Sequence, residues 1–254
     1  MSRLATVFYA IGGVLIFFLL APLLIFVATT DLNYVLKYGF DEEATSAMYI
    51  GMLAATTSTL ILLILGTPLA YALARYRFPG KGLIEAVIDL PLAIPHGVVG
   101  IMVLLAYSSR APLGTLLANL GMRIEDSFWG IVFAMVFVSV PLAVDTIKEG
   151  FDMVDPEIEY VARSLGASEL MTFMKISLPL VTKHIITAAL LSWARAMSEV
   201  GAILVVAYFP KSINVLVMER FWTYGLEVAK ATAFPLLITT LTAFTVVRVL
   251  GGRK

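Results

Sequence analysis

Long apolar runs separated by short clusters of charge organise this sequence. From Arg3 to Asp31 there are 27 uncharged residues, and from Glu43 to Arg75 there are 31. Asp89 to Arg110 encloses 20, Asp126 to Asp145 encloses 18 and Lys230 to Arg248 encloses 17. A further run from Lys183 to Lys211 is interrupted only by Arg195 and Glu199. A helix needs about 20 residues to cross a ~30 Å hydrocarbon layer. The pattern therefore predicts six spanning helices, at roughly 7–28, 48–74, 84–107, 127–147, 184–208 and 231–250. Pro68, Pro91, Pro95, Pro141 and Pro235 fall within them and predict kinks or broken turns. Gly51, Ala54, Ala55 and Ser58 on one side of the second span predict close helix packing.

Composition agrees with the pattern. The 254 residues are 60 % hydrophobic and 14 % charged, with a mean hydropathy of +0.93. Soluble domains carry about 25 % charge and a domain of this size still exposes much of its surface, so a water-soluble globule is excluded. Disorder is excluded for the same reason. The fold class is an all-α polytopic membrane protein, with residues 1–254 forming one transmembrane domain. The first run exceeds a 7–15-residue signal core and lacks a clean small-x-small site, which predicts an uncleaved helix.

Loop charge sets the orientation. One side holds eleven bases: Arg3, Arg75, Arg77, Lys81, Lys148, Arg163, Lys175, Lys183, Arg248, Arg253 and Lys254. The other holds six: Lys37, Arg110, Arg123, Lys211, Arg220 and Lys230. Both termini are expected in the cytoplasm. The outer loops carry eight acids (Asp31, Asp41, Glu42, Glu43, Glu125, Asp126, Glu219, Glu227), so that surface collects anions poorly by itself. With 18 bases and 18 acids the net charge is zero, and no basic field draws the chain to nucleic acid. The absence of cysteine removes disulfides, thiolate metal sites and Cys nucleophiles. Two histidines, His96 and His184, are too few for a His-rich metal site.

The longest inner stretch, 148–183, is the most informative. Asp155 is an N-cap with Pro156 at the first helical position, and Glu157 and Glu159 suit the positive helix end. Ile158, Val161, Ala162 and Leu165 recur at helical spacing and Gly166 provides a stop. The reading is a short amphipathic helix followed, after Ala167-Ser168, by a second one ending near Leu178-Pro179. By pattern alone the first helix either rests on lipid headgroups or docks on a partner.

The segment Ala162-Arg163-Ser164-Leu165-Gly166-Ala167-Ser168, with nine residues between Gly166 and Ile176-Ser177-Leu178-Pro179, resembles the cytoplasmic signature of ABC importer permeases. That signature reads E-A-A, three residues, Gly, nine residues, Ile-x-Leu-Pro. The E-A-A part departs, being Tyr160, Val161 and Ala162, with the acid one residue earlier at Glu159. Arg77-Phe78-Pro79-Gly80-Lys81-Gly82 and Asp89-Leu90-Pro91-Leu92-Ala93-Ile94-Pro95 resemble stretches of molybdate, tungstate and sulfate permeases. Trp193-Ala194-Arg195-Ala196-Met197-Ser198-Glu199-Val200-Gly201-Ala202 resembles their fifth-helix pattern, and His96 stands where they commonly have a second proline. The resemblance runs from about Met48 to Phe221 and implies a type I ABC importer permease fold. It also implies that Glu157, Ile158, Glu159, Tyr160, Val161, Ala162, Arg163, Ser164, Leu165, Gly166, Ala167 and Ser168 form a coupling helix and turn seated on an ATPase.

Gly80-Lys81 is not a phosphate loop: Arg75 stands where a glycine is needed and Gly82 follows the lysine. No nucleotide site belongs to this chain, and no cofactor is expected in it. ATP and Mg belong on a partner ATPase.

Arg195 and Glu199, four apart, share a helix face inside the membrane. They either lock the bundle as a self-neutralising pair or form a polar element beside a translocation path. His96, beside Pro95, either bonds a carbonyl freed by that proline or gates. Asp89, close to the cytoplasm, is expected to pair with a nearby base.

The expected function is therefore the membrane subunit of an ATP-driven importer for a tetrahedral oxyanion, molybdate or tungstate first. Its expected partners are a second copy of itself, two ATPase subunits, an external binding protein and the bilayer of a prokaryotic plasma membrane. An ion-gradient-driven transporter is the alternative. It needs deep acids at paired positions, and Glu199 is the only one. An intramembrane enzyme has little support, since His96 and Ser108 make no convincing pair.

Overall fold

The computed structural model describes residues 2–251. Arg253 and Lys254, and the side chains of Arg3 and Arg248, lie outside the description. All regular elements among the described residues are helical.

Helix α1 spans Arg3–Thr29. A short helical turn, Leu32–Tyr34, then leads into a π turn, Val35–Gly39. Helix α2, Glu42–Arg75, starts six residues before the predicted span. The Asp41 carboxylate caps it by accepting from Ala44 N, and Glu42 and Glu43 fill its first turn. Acids stabilise a helix N-terminus, so the charges that bounded the apolar run belong to the helix. Helix α3, Lys81–Ala93, and α4, His96–Tyr107, divide the predicted third span at Ile94-Pro95. Proline at 95 lacks the N–H that would continue the ladder. A short helix α5, Pro112–Asn119, bends 72° from α4.

Helix α6, Phe128–Asp152, is capped by Ser127 and is the central element. Helix α7, Pro156–Ser164, and the composite α8, Glu169–Leu180, follow the predicted inner pair. Within α8 the segment Phe173–Ser177 is a π turn. Helix α9, Thr182–Met197, bends 71° from α8. Helix α10, Gly201–Val206, completes the predicted fifth span after a break at 198–200. Helix α11, Ile213–Tyr224, was not predicted. Helix α12, Leu226–Gly251, is the last.

Among the described residues four helices, α1, α2, α6 and α12, are each long and apolar enough to cross a membrane. The bent pairs α4–α5 and α8–α9 reach that standard jointly, giving up to six crossings, but they cover 96–119 and 169–197 where the sequence predicts spans at 84–107 and 184–208. Helix α6 packs most extensively on α2 and then on α9. The small stripe works as expected: Ala54, Ala55 and Ser58 on α2 are fully buried. One core cluster joins α2, α4, α6, α9, α10 and α11 through residues such as Val99, Met135, Met197 and Ile203. A second, around Leu73, Ile88, Ile147 and Phe151, joins α2, α3, α6 and α9. No residue in the apolar window of α1 is fully buried within the chain; its end touches α12 through Phe26 on Phe234 and Lys230 Nζ on the Thr29 carbonyl, and most of its surface is left for lipid or another chain.

Candidate functional site: the inner segment and the two helix breaks

At the inner end, Glu159 is the organising residue. It lies on the inward face of α7 and is 5 % exposed. Its Oε1 accepts from Arg75 Nε and Ser177 Oγ, each at 2.9 Å, and its Oε2 accepts from the Tyr71 hydroxyl at 2.9 Å. Arg75 Nη2 also donates to the Val154 carbonyl at 3.0 Å, just before α7 begins. Tyr71 is held edge-on by Phe151 and Phe173, with ring centroids 5.1 and 4.8 Å away. A buried carboxylate is tolerated only where charge and hydrogen bonds compensate its lost hydration. Here both oxygens are engaged.

The remaining predicted coupling residues divide by face. Ile158, Val161 and Leu165 are exposed, as are Glu157 and Tyr160. Leu170, Met171 and Met174 of α8 are exposed as well. Arg163 reaches Glu169 at 3.5 Å and lies over the Tyr160 ring. Ser164 donates to the Tyr160 carbonyl. Gly166 has φ +94°, a left-handed conformation that favours glycine. After Ala167, Ser168 caps α8 by accepting from Met171 N. One expectation is corrected. The spacing groups Ala162 with Ile158, Val161 and Leu165, but Ala162 is buried against its own chain while the other three are exposed. It lies one turn from Ile158 but also next to Glu159 on the inward side, and the packing of that side decides its burial.

Deeper in the bundle the structure brings all three candidate path residues together. Glu199, fully buried, occupies the break between α9 and α10. Its Oε1 accepts from Ala202 N at 2.8 Å, satisfying a free donor at the start of α10. Its Oε2 lies 3.1 Å from Arg195 Nη2 and 2.8 Å from His96 Nδ1. Arg195 Nη2 is also 3.1 Å from His96 Nε2. In the Nδ1–H tautomer His96 donates to Glu199, while Arg195 Nη2 lies across the ring, 3.3 Å from Nδ1 and 3.1 Å from Nε2. His96 thus bonds two side chains, not a carbonyl freed by Pro95 as one reading of the sequence had it. It opens α4 at the other break, so an ion-paired cluster joins the two interrupted spans. Close backbone approach supports the junction. A Cβ on Gly201 would stand 2.8 Å from His96 Cβ, and one on Gly100 would stand 2.7 Å from the Ala202 carbonyl oxygen.

Asn214, on α11, was not singled out in the sequence. Its Nδ2 donates to the Met197 and Glu199 carbonyls at 2.6 and 2.9 Å, pairing acceptors that the break leaves free. Asp89 also departs from expectation. It has no base in ion-pair contact among the described residues. The nearby base Lys148 pairs with Glu85 and Asp152.

The expected outer side carries an ion-pair network that the loop count did not reveal. Arg220 of α11, 5 % exposed, pairs with Asp41 at 2.7 Å and Glu43 at 3.1 Å and donates to the Thr232 hydroxyl. Lys211 pairs with Glu43 and Glu219 at 2.7 and 2.8 Å. Burial opposes the charge on Lys211, but its bonds to Glu219 and Glu43 prevail and hold its pKa above the usual lysine range. These bases are therefore consumed internally.

The profile of the binding-protein-dependent transport system inner membrane component family matches residues 63–253. This chain belongs to that family. It is a transport permease. The molybdate/tungstate transport system permease protein of Pyrococcus abyssi is 42 % identical over 97 % of this chain and 95 % of its own length. The protein of the same description from Methanocaldococcus jannaschii is 43 % identical over 88 % and 87 %. The fold is that of ABC importer permeases. A chain of the bacterial alginate ABC transporter, solved with a pentasaccharide-bound periplasmic protein, superposes with a TM-score of 0.76. That match covers 99 % of this permease and 95 % of that chain at 14 % identity.

Proposed function

We propose that this permease forms the membrane path for molybdate and tungstate in an ATP-driven importer. The observation that carries the reading is the 42 % identity along nearly the whole of both chains to a permease named for those two anions. Two copies of the chain pair with two ATPase subunits and an external binding protein in a prokaryotic plasma membrane, with both termini in the cytoplasm. ATP and Mg are held by the ATPase, not by this chain. The exposed residues Ile158, Val161 and Leu165 of α7 support its use as the surface the ATPase receives, because a helix of nine residues is marginal alone and gains from a groove. The Arg195, Glu199 and His96 cluster is the polar element at the path, where two interrupted spans meet.

The test is reconstitution of the permease with its ATPase in liposomes. Hydrolysis stimulated by binding protein loaded with molybdate or tungstate is expected, and no stimulation by either anion would overturn the reading. Labelling of Ser168→Cys from outside intact cells would overturn the orientation, since Ser109→Cys is the variant expected to react there.

A further inference from the structure

Helix α2 is ionically fastened at both of its ends. It stays helical over 34 residues with Pro68 inside it, about 50 Å at 1.5 Å per residue. Its inner end supplies Tyr71 and Arg75 to Glu159. At its outer end Asp41 and Glu43 are held by Arg220, and Glu43 also by Lys211. Helix α7, by contrast, buries only Glu159 and Ala162. Its purchase on the rest of the chain is therefore mainly one carboxylate, whose three bonds reach two elements, α2 and α8.

We propose that Glu159 is a positioning residue that makes α7 and α2 move as one body, so that displacement of α7 is delivered along α2 to the outer ion-pair network. This rests on the reading of α7 as the surface the ATPase receives. Without the acid, α7 is free to rock about the Gly166 turn, and its displacement is spent in the loop. With it, a charge-assisted bond to the last residue of α2 and a bond from Tyr71, one turn earlier, fix both the distance and the angle between the two helices. Arg75 adds a second tie at Val154, so the guanidinium spans the entry to α7. The residues outside this joint that face the ATPase take no part in it.

The experiment uses the complete transporter in liposomes with binding protein loaded with tungstate. Glu159→Gln is expected to retain ATPase co-purification and basal hydrolysis while stimulation by the loaded binding protein falls about tenfold. Tyr71→Phe removes one of the three donors and is expected to lower stimulation about two- to threefold. Unchanged stimulation in Glu159→Gln overturns the proposal. If that variant does not fold, unchanged stimulation in Tyr71→Phe combined with Ser177→Ala overturns it instead. Loss of ATPase association in Glu159→Gln and Tyr71→Phe alike makes the acid a structural anchor only and also overturns it. Leu165→Asp, on the exposed face, separates the two levels. If Leu165→Asp leaves ATPase binding and stimulation intact, the docking reading fails and the joint falls with it. If it abolishes binding while Glu159→Gln behaves as wild type, only the joint fails.

Discussion

Glu159 and Glu199 share their chemistry and differ in what they join. Both are buried, both face one arginine, and both have their two carboxylate oxygens engaged. The arginine of Glu199 is one helical turn away, and its other partners stand at two helix breaks. The arginine of Glu159 is 84 residues away in sequence and ends an unbroken helix. One acid fills the gap where two spans lose their backbone ladder; the other fastens a small surface helix to a long one. Burial of a carboxylate therefore says little about its role until the elements it connects are named.

The sharpest way to break this comparison is Glu199→Ala. It strands Arg195 and leaves Ala202 N without an acceptor, and is expected to cost ~3–5 kcal/mol, read as lost folded yield and a lowered melting temperature in detergent. Arg195→Ala is expected to be comparable, and the double variant milder than the sum. Simple additivity would show that the two do not act as a unit.

Gly201→Val tests whether the two breaks are held in contact. The added carbons would meet His96, and ~1–3 kcal/mol of destabilisation is expected from overpacking. A neutral result in thermal unfolding would mean that α4 and α10 separate easily. Asn214→Ala leaves two carbonyls at the break without their donor and is expected to cost ~1–2 kcal/mol, measured in the same way.

The smallest effect expected is at Glu125, in the loop before α6. Burial raises its pKa, but hydrogen bonds from its own backbone N–H and from Ser109 outweigh burial and hold it below the usual carboxylate value. A depressed folded pKa gives stability that is present above the unfolded value and lost as pH falls through the folded one. Glu125→Gln is therefore expected to flatten a shallow acid-side decline in melting temperature below about pH 4.5, worth under ~1 kcal/mol. A variant that keeps the same decline would contradict this assignment.

The two acids also mark how far the sequence could be read. Arg195 and Glu199 were legible because a four-residue spacing places them on one helix face, and His96 because it follows a proline. The junction among them was not, since the break at 198–200 contains no proline and depends on Asn214 from another element. The tie from Glu159 to Arg75 was invisible because only packing brings residues so far apart in sequence together. Helix α11 was hidden for a related reason. Glu219 and Arg220 interrupt its apolar run like loop charges, yet Arg220 is buried by its acids. The long spans and the α7–α8 segment were legible from uninterrupted runs, caps and the Gly166 stop.

The most direct test of the account is uptake of radiolabelled tungstate into liposomes carrying permease, ATPase and binding protein. Uptake should require ATP on the ATPase side, persist when proton and sodium gradients are collapsed, and disappear in Leu165→Asp. Uptake that follows an imposed ion gradient without ATP would contradict the account.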